Sequence, residues 1–326
     1  MRNKELDQKS TEEDIDVGIR PKKLSGFIGQ GYVVENLKVF IESAKKRKES
    51  LDHILFYGPP GLGKTTLAHI IAGEMHSKIH VTSGPLLSKA GDLAAILSNL
   101  QKNDILFIDE IHRLTSAIEE VLYPAMEDYC LDLIVGEGPA AKTIRINLPK
   151  FTLVAATTRT GLISNPLRDR FGIPLRLEFY TIKELEDLIA QAAKKLDIKI
   201  KSCGAKELAK RSRGTPRIAL RLLRRTRDFL EVSNNELIDK SFADMVLGKL
   251  GIDKLGLDKM DAGYLSFILK NYQNSAVGIK TIASAVSEKE DCIEEIIEPY
   301  LIKIGFIDRT PRGRKLTQKA LDHLLQ

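Results

Sequence analysis

The sequence predicts a parallel α/β domain followed by an all-helical module and a carboxy-terminal winged helix. Three features carry this: apolar runs alternating with helical patterns from Leu51 to Glu178, helical periodicity alone after Tyr180, and a basic β-turn near the end. In the first stretch HILFY, KIHVTS, DILFID and FTLVAATT read as strands, and the segment from Lys64 and DLAAILSNL as helices. Strands alternating with helices imply a parallel sheet covered on both faces. Leu131 to Asn147, LDLIVGEGPAAKTIRIN, interrupts that alternation as a hairpin, two β-rich arms around a Gly-Pro turn. IKELEDLIAQAAKKLD, CGAKELAKRSRG and PRIALRLLRRTRDFLEV then place apolar residues at three-to-four spacing. The Gly/Asp/Lys-rich GKLGIDKLGLDKMD marks a boundary. Beyond it DAGYLSFILKNY, IKTIASAVS and CIEEIIEPYLIKIG read as helices, and GFIDRTPRGRKLT as strand, turn and strand. The expected division is 1–180, 181–251 and 254–326, with 1–18 a polar, mobile arm.

Composition narrows the class. With 326 residues, 43% hydrophobic and 29% charged, the chain can bury more than one core, which excludes disordered and fibrous classes. It has no apolar run of about 18 residues and no secretion-signal pattern, so a cytoplasmic location is expected. Cys130, Cys203 and Cys292 lack metal-ligand spacing and suit a reducing compartment. The net charge of +6 favours polyanions, and it gathers at the end: Leu301 to Gln326 holds six basic side chains against two acids. Contacts from such a turn to phosphates are independent of base sequence. Lys45 to Lys48, by contrast, read as cations offsetting a helix dipole. Aromatics are 6% without tryptophan, which argues against base stacking on single strands and for duplex backbone binding.

Gly58-Pro59-Pro60-Gly61-Leu62-Gly63-Lys64-Thr65 matches the phosphate-binding loop pattern G-x-x-x-x-G-K-[ST], between a β-rich run and a helix. Gly58, Gly61 and Gly63 let backbone N–H groups curve around phosphates, and the helix starting near Lys64 adds its positive end. Lys64 is expected to reach the β- and γ-phosphates of ATP, and the Thr65 hydroxyl, with Thr66 beside it, to meet Mg²⁺. Ile105 to Glu110 is an apolar strand ending in two carboxylates. Asp109 is expected in the Mg²⁺ shell, and Glu110 to polarise the attacking water.

RPKKLSGFIGQ, YGPPGLGKTTLA, DEIHRL, MEDYCLDLIVGEGPAAKTIRINLPKFTLVAATTR, NPLRDRFGIPLRLEFY and RGTPRIALRLLRR together resemble the RuvB family of bacterial Holliday-junction branch-migration motors, from about Arg20 to Gln326. The loop is shared with other AAA+ proteins, whereas the block from DEIHRL to LRDRFG is far more specific. The resemblance implies an α/β P-loop AAA+ domain with a parallel sheet, a helical lid and a winged-helix head. It implies that Thr158, with Thr157 beside it, senses the γ-phosphate, that Arg170 is an arginine finger for a neighbouring subunit's ATP, and that Arg217 couples the lid to the γ-phosphate. It places Ile19, Arg20 and Tyr180 about the adenine and ribose, and Glu127, Asp128 and Tyr129 facing the neighbour's nucleotide. A finger acting in trans implies head-to-tail assembly, in this family a hexameric ring on duplex DNA.

The hairpin 131–147, with Leu133, Ile134, Val135, Ile144 and Ile146, is the family's docking site for RuvA, and the RuvC resolvase is a further implied partner. Arg309 and Arg314 match DNA-contacting positions. A basic residue common near Glu290 is replaced here by that acid, beside Lys289. The rival readings are a clamp-loader subunit, a nucleotide-controlled DNA-binding switch and a protein-remodelling ATPase. The hairpin block and basic wing oppose the first; Glu110 and Arg170 oppose the second, which needs neither; no aromatic pore loop supports the third.

Overall fold

The computed structural model describes residues 18–135, 142–272 and 275–325. The expectations for the arm before Gly18, for the hairpin turn at 136–141 and for the side chains of Leu133, Ile134 and Val135 lie outside the described residues. The chain divides into two compact units, one reaching Gly58 and resuming over Gly63–Glu178, the other comprising Pro59–Leu62 and Phe179 onward.

The first unit opens with α1 (Gly31–Arg47) and then alternates β1 (Ile54–Tyr57), α2 (Lys64–Met75), β2 (Ile79–Ser83), α3 (Ala90–Ser98), β3 (Ile105–Asp109) and α4 (Ser116–Glu127). The antiparallel pair β4 (Cys130–Val135) and β5 (Lys142–Asn147) follows, then β6 (Thr152–Thr157), α5 (Asn165–Asp169) and β7 (Ile173–Arg176). Five strands form one parallel sheet in the order β2-β3-β6-β1-β7. The inner strands β1, β3 and β6 are buried along almost their whole length, which is why they read as unbroken apolar runs. The edge strands β2 and β7 leave alternate or partly exposed positions. Lys45, Lys46 and Arg47 occupy the last turn of α1, as the dipole argument requires.

This order puts β6 between the strand that feeds the glycine-rich loop and the strand that ends in Asp109. Tyr57 is level with Thr157, and Ile108 with Ala155, so the three segments that carry candidate site residues leave the same carboxyl edge of adjacent strands. Ligands of open parallel sheets bind at that edge.

In the second unit α6 (Ile182–Lys195), α7 (Ser202–Lys210), α8 (Pro216–Glu231) and α9 (Lys240–Lys249) pack by amphipathic faces. The head has α10 (Lys259–Tyr272), α11 (Ile279–Val286), a helical stretch with a π turn at Ile293–Ile297 leading into α12 (Glu298–Lys303), the hairpin β8 (Ile307–Thr310) and β9 (Gly313–Leu316), and α13 (Gln318–Leu324). It has its own apolar core around Tyr264, Leu265, Ile282, Leu301 and Phe306. Buried Arg213, just before α8, joins the two parts: Nε donates to Gly256 O (2.8 Å), Nη1 to Asp261 Oδ1 (3.3 Å), and Nη2 to the Asp261 and Asp258 carboxylates. Burial pushes the Asp261 carboxyl up to about 6, against the pull of Arg213.

Candidate functional site

The loop after β1 requires its glycines. Gly58 has φ +138°, and a Cβ there would lie 2.3 Å from Leu177 O. Gly63, at φ +102°, is the residue before α2, so the helix begins at Lys64 with its N–H groups facing the loop. Lys64 is buried and its Nζ donates to Gly58 O (2.8 Å), which folds the ammonium over the loop. Thr65 and Thr66 occupy the first turn of α2. Within the second unit, Arg217 N–H donates to Gly61 O (3.3 Å), and the buried Tyr180 donates its hydroxyl to Leu62 O (3.3 Å) and its N–H to Gly214 O (2.9 Å). Two residues expected at the nucleotide, Arg217 and Tyr180, therefore hold the middle of the loop. Ile19 is buried and Arg20 exposed. His69 on α2 has its pKa lowered, by burial first and by the Arg20 charge second.

At the end of β3, Asp109 Oδ1 accepts the N–H of Glu110 (2.9 Å). Glu110 has φ +49°, a left-handed conformation that costs a non-glycine residue about 1–3 kcal/mol. The half-exposed Glu110 carboxylate lies 3.4 Å from the Arg113 guanidinium. Thr157 and Thr158 separate clearly. Thr157 Oγ1 accepts the N–H of Arg159 (2.9 Å) and pairs with His112 Nδ1 (3.0 Å), while the buried Oγ1 of Thr158 has no hydrogen-bond partner among the described residues. Buried hydroxyls are nearly always bonded, so Thr158 is the threonine with capacity for a ligand or its water. Among the described residues no three His, Cys, Asp or Glu side chains cluster to hold a metal ion. A Mg²⁺ ion, which keeps waters and takes phosphate oxygens with few protein ligands, fits the sparse donor set of Thr65 and Asp109.

Arg170 ends α5, and its guanidinium donates to Glu127 Oε2 (3.0 Å) and Pro166 O (2.7 Å) and lies 4.5 Å over the Tyr123 ring. Two residues expected at a neighbour's nucleotide, Arg170 and Glu127, thus sit together. Sequence reading missed what supports them: buried Glu119 accepts from Tyr123 Oη (3.1 Å) and Ser164 Oγ (2.5 Å). The spacing of Glu119, Tyr123 and Glu127 along α4 was the available signal. Asp128 is exposed, whereas Tyr129, at φ +51°, is half-buried with its ring edge-on to Phe151.

In the strand pair 130–147, Leu133 is level with Ile144 and Leu131 with Ile146. Ile144 is 49% exposed and Ile146 36%, an uncovered apolar pair beside the Arg145–Asp132 bridge (2.8 and 3.0 Å). In the head, Arg309 and Arg314 are directly opposed on β8 and β9, and both bond Glu298.

The comparisons decide the family. The chain is 68% identical over 324 residues to a Neorickettsia sennetsu protein named Holliday junction branch migration complex subunit RuvB, covering 99% of this chain and 97% of that one. The chain belongs to the RuvB family. An Anaplasma phagocytophilum relative of the same name is 63% identical over 96% of this chain and 95% of its own. Three family profiles match in order: the Holliday junction DNA helicase RuvB P-loop domain at 19–177, the RuvB AAA lid domain at 180–253 and the RuvB C-terminal winged helix domain at 254–325. The solved structure of the Thermotoga maritima RuvB Holliday junction branch migration motor is 50% identical, with a TM-score of 0.88 over 94% of this chain and 98% of that chain. No helix among the described residues is long and apolar enough to cross a membrane.

Proposed function

We propose that the chain is the ATP-hydrolysing motor subunit of a branch-migration complex, driving Holliday junctions along DNA during recombination and repair. The observation that carries this is the convergence of the phosphate loop, the Asp109–Glu110 pair and the Thr158 hydroxyl, unpartnered among the described residues, at adjacent carboxyl strand ends in a RuvB-family chain. In this reading the loop of Gly58, Gly61 and Gly63 binds the phosphates through backbone N–H groups and Lys64 neutralises them. Thr66 stands beside the phosphates, Ile19, Arg20 and Tyr180 take the adenine and ribose, and Arg217 reads the γ-phosphate. Glu110 orients the attacking water and accepts its proton, and Thr158 holds that water against the γ-phosphate. Thr65 and Asp109 would hold Mg²⁺, which when bound draws negative charge from the phosphates.

Arg170 completes the site of a neighbouring subunit, with Glu127, Asp128 and Tyr129 on the same face. Assembly therefore exchanges the Glu127 carboxylate for a phosphate, and head-to-tail contacts close into a hexameric ring. Leu133, Ile134, Val135, Ile144 and Ile146 dock RuvA, Arg309 and Arg314 grip duplex phosphates, and the RuvC resolvase joins the assembly, all in the cytoplasm. The division into an ATPase domain (1–180), a lid (181–251) and a head (254–326) belongs to the same reading.

Mixing inactive variants tests the shared site. Lys64→Ala and Arg170→Ala are each expected to abolish turnover alone. Their mixture should regain DNA-stimulated ATPase, because some interfaces pair an intact loop with an intact finger. No recovery, with mixed assembly shown by cross-linking, contradicts a finger acting in trans.

A further inference from the structure

Arg309 and Arg314 face each other across the β8–β9 hairpin, and like charges directly opposed destabilise a strand pair. The structure resolves that conflict with one fully buried carboxylate. Glu298 Oε2 accepts from Arg309 Nε (2.7 Å) and Nη2 (2.5 Å), and Oε1 accepts from Arg314 Nε (2.8 Å). Tyr264, itself buried, donates its hydroxyl to the same Oε1 (3.2 Å), and burial pushes that phenol up so that it stays a donor. Glu294 differs: it is partly exposed, and it accepts from Arg314 Nη2 (2.7 Å). The backbone places both acids toward the hairpin. A π turn ends at Ile297, where Pro299 has no N–H for the helical ladder, and π turns recur at functional sites.

We propose that Glu298 is a positioning residue for the DNA grip, fixing both guanidiniums of the wing through one desolvated carboxylate. Arg309, 47% exposed, then presents its remaining N–H groups outward in one orientation, and Arg314, 13% exposed, braces it. An arginine fork held in place loses less freedom on meeting a phosphate than a free one. The inference rests on the proposed role of the wing in DNA binding, and it makes a prediction opposite to plain electrostatics. Removing an acid near DNA should tighten binding; removing this one should weaken it.

The test compares two variants with the same charge change, Glu298→Gln and Glu294→Gln, in the full chain. Binding to a fluorescent duplex is titrated across salt concentrations, with thermal unfolding as the control for folding. Glu298→Gln should weaken duplex binding several-fold and flatten the dependence of log K on log salt by about 0.9 for each phosphate that the wing no longer neutralises. Glu294→Gln should bind at least as tightly as the wild type. Glu298→Gln binding as tightly as Glu294→Gln overturns the proposal. If Glu298→Gln fails to fold, Tyr264→Phe decides, because it loosens Glu298 without changing charge: weaker binding supports positioning, and unchanged affinity and slope overturn it. Arg309→Ala separates the two layers. Loss of affinity there with none in Glu298→Gln rejects positioning alone, and no loss in Arg309→Ala rejects the DNA-contacting wing.

Discussion

Arg213→Met probes the ion pair that holds the second unit together. The substitution keeps an apolar stem of similar length and removes the guanidinium from Gly256 O and from the fully buried Asp261 carboxylate. Taking one partner from a buried ion pair costs about 3–5 kcal/mol, because the other charge stays desolvated. A proton can relieve that penalty. The Asp261 pKa is already raised to about 6 with Arg213 present, and without the cation it rises further. A raised carboxyl pKa means that the folded state holds a proton the unfolded state has released, so stability is lost as pH rises through the folded pKa. The gap between variant and wild type should therefore widen above pH 6, by up to about 1.4 kcal/mol per pH unit, until the variant's own carboxyl has ionised. Calorimetry of the transition that melts Phe179 onward, at pH 5 and pH 8, reads both quantities. Adding Asp261→Asn, which keeps an acceptor for the Asp258 N–H, should recover most of the loss at pH 8. A loss below about 1 kcal/mol, or a gap equal at both pH values, would show that the Arg213–Asp261 pair does not hold this unit together.

Two further outcomes follow from geometry. Gly58→Ala drives a Cβ against Leu177 O at a positive φ, so it should cost more than the roughly 1–3 kcal/mol of backbone strain alone and abolish binding of a fluorescent ATP analogue; a wild-type melting temperature and affinity would contradict it. His53 is buried, accepts the Leu153 N–H at Nδ1 (2.8 Å) and donates from Nε2 to Met126 O (3.1 Å), which requires the neutral ring. Desolvation lowers its pKa below 6.5, so its contribution is present above pH 6.5 and lost as pH falls. Denaturant titration at pH 7.5 and 5.5 should show the wild type losing up to about 1.4 kcal/mol more than His53→Asn.

What the sequence disclosed tracks how local each feature is. The β1–loop–α2 unit was legible because its glycines and Lys64 follow from a backbone that must curve around phosphate, whatever packs behind it. The inner strands were legible as apolar runs because both their faces are covered. β7 was not singled out, since IPLR is short and contains proline; Pro174 is tolerated there because β7 pairs only with β1, on the sheet edge. α9 escaped as well: KSFADMVLGK has a weak amphipathic pattern and Gly248 near its end. No local signal could separate Thr157 from Thr158, because the difference lies in which hydroxyl reaches His112 and the Arg159 N–H. Glu298 was equally hidden, since its meaning arises only where α12 meets the folded hairpin.

In the proposed cycle, ATP hydrolysis at Glu110, completed by a neighbour's Arg170, moves a four-way DNA junction. The most direct measurement is ATP-dependent conversion of a synthetic four-way junction to duplexes in the presence of RuvA, comparing the wild type with Glu110→Gln and Arg170→Ala. Conversion is expected from the wild type and from neither variant, although Glu110→Gln should still bind ATP. Junction conversion at the wild-type rate by either variant, or ATP turnover by the wild type on this DNA without conversion, would contradict it.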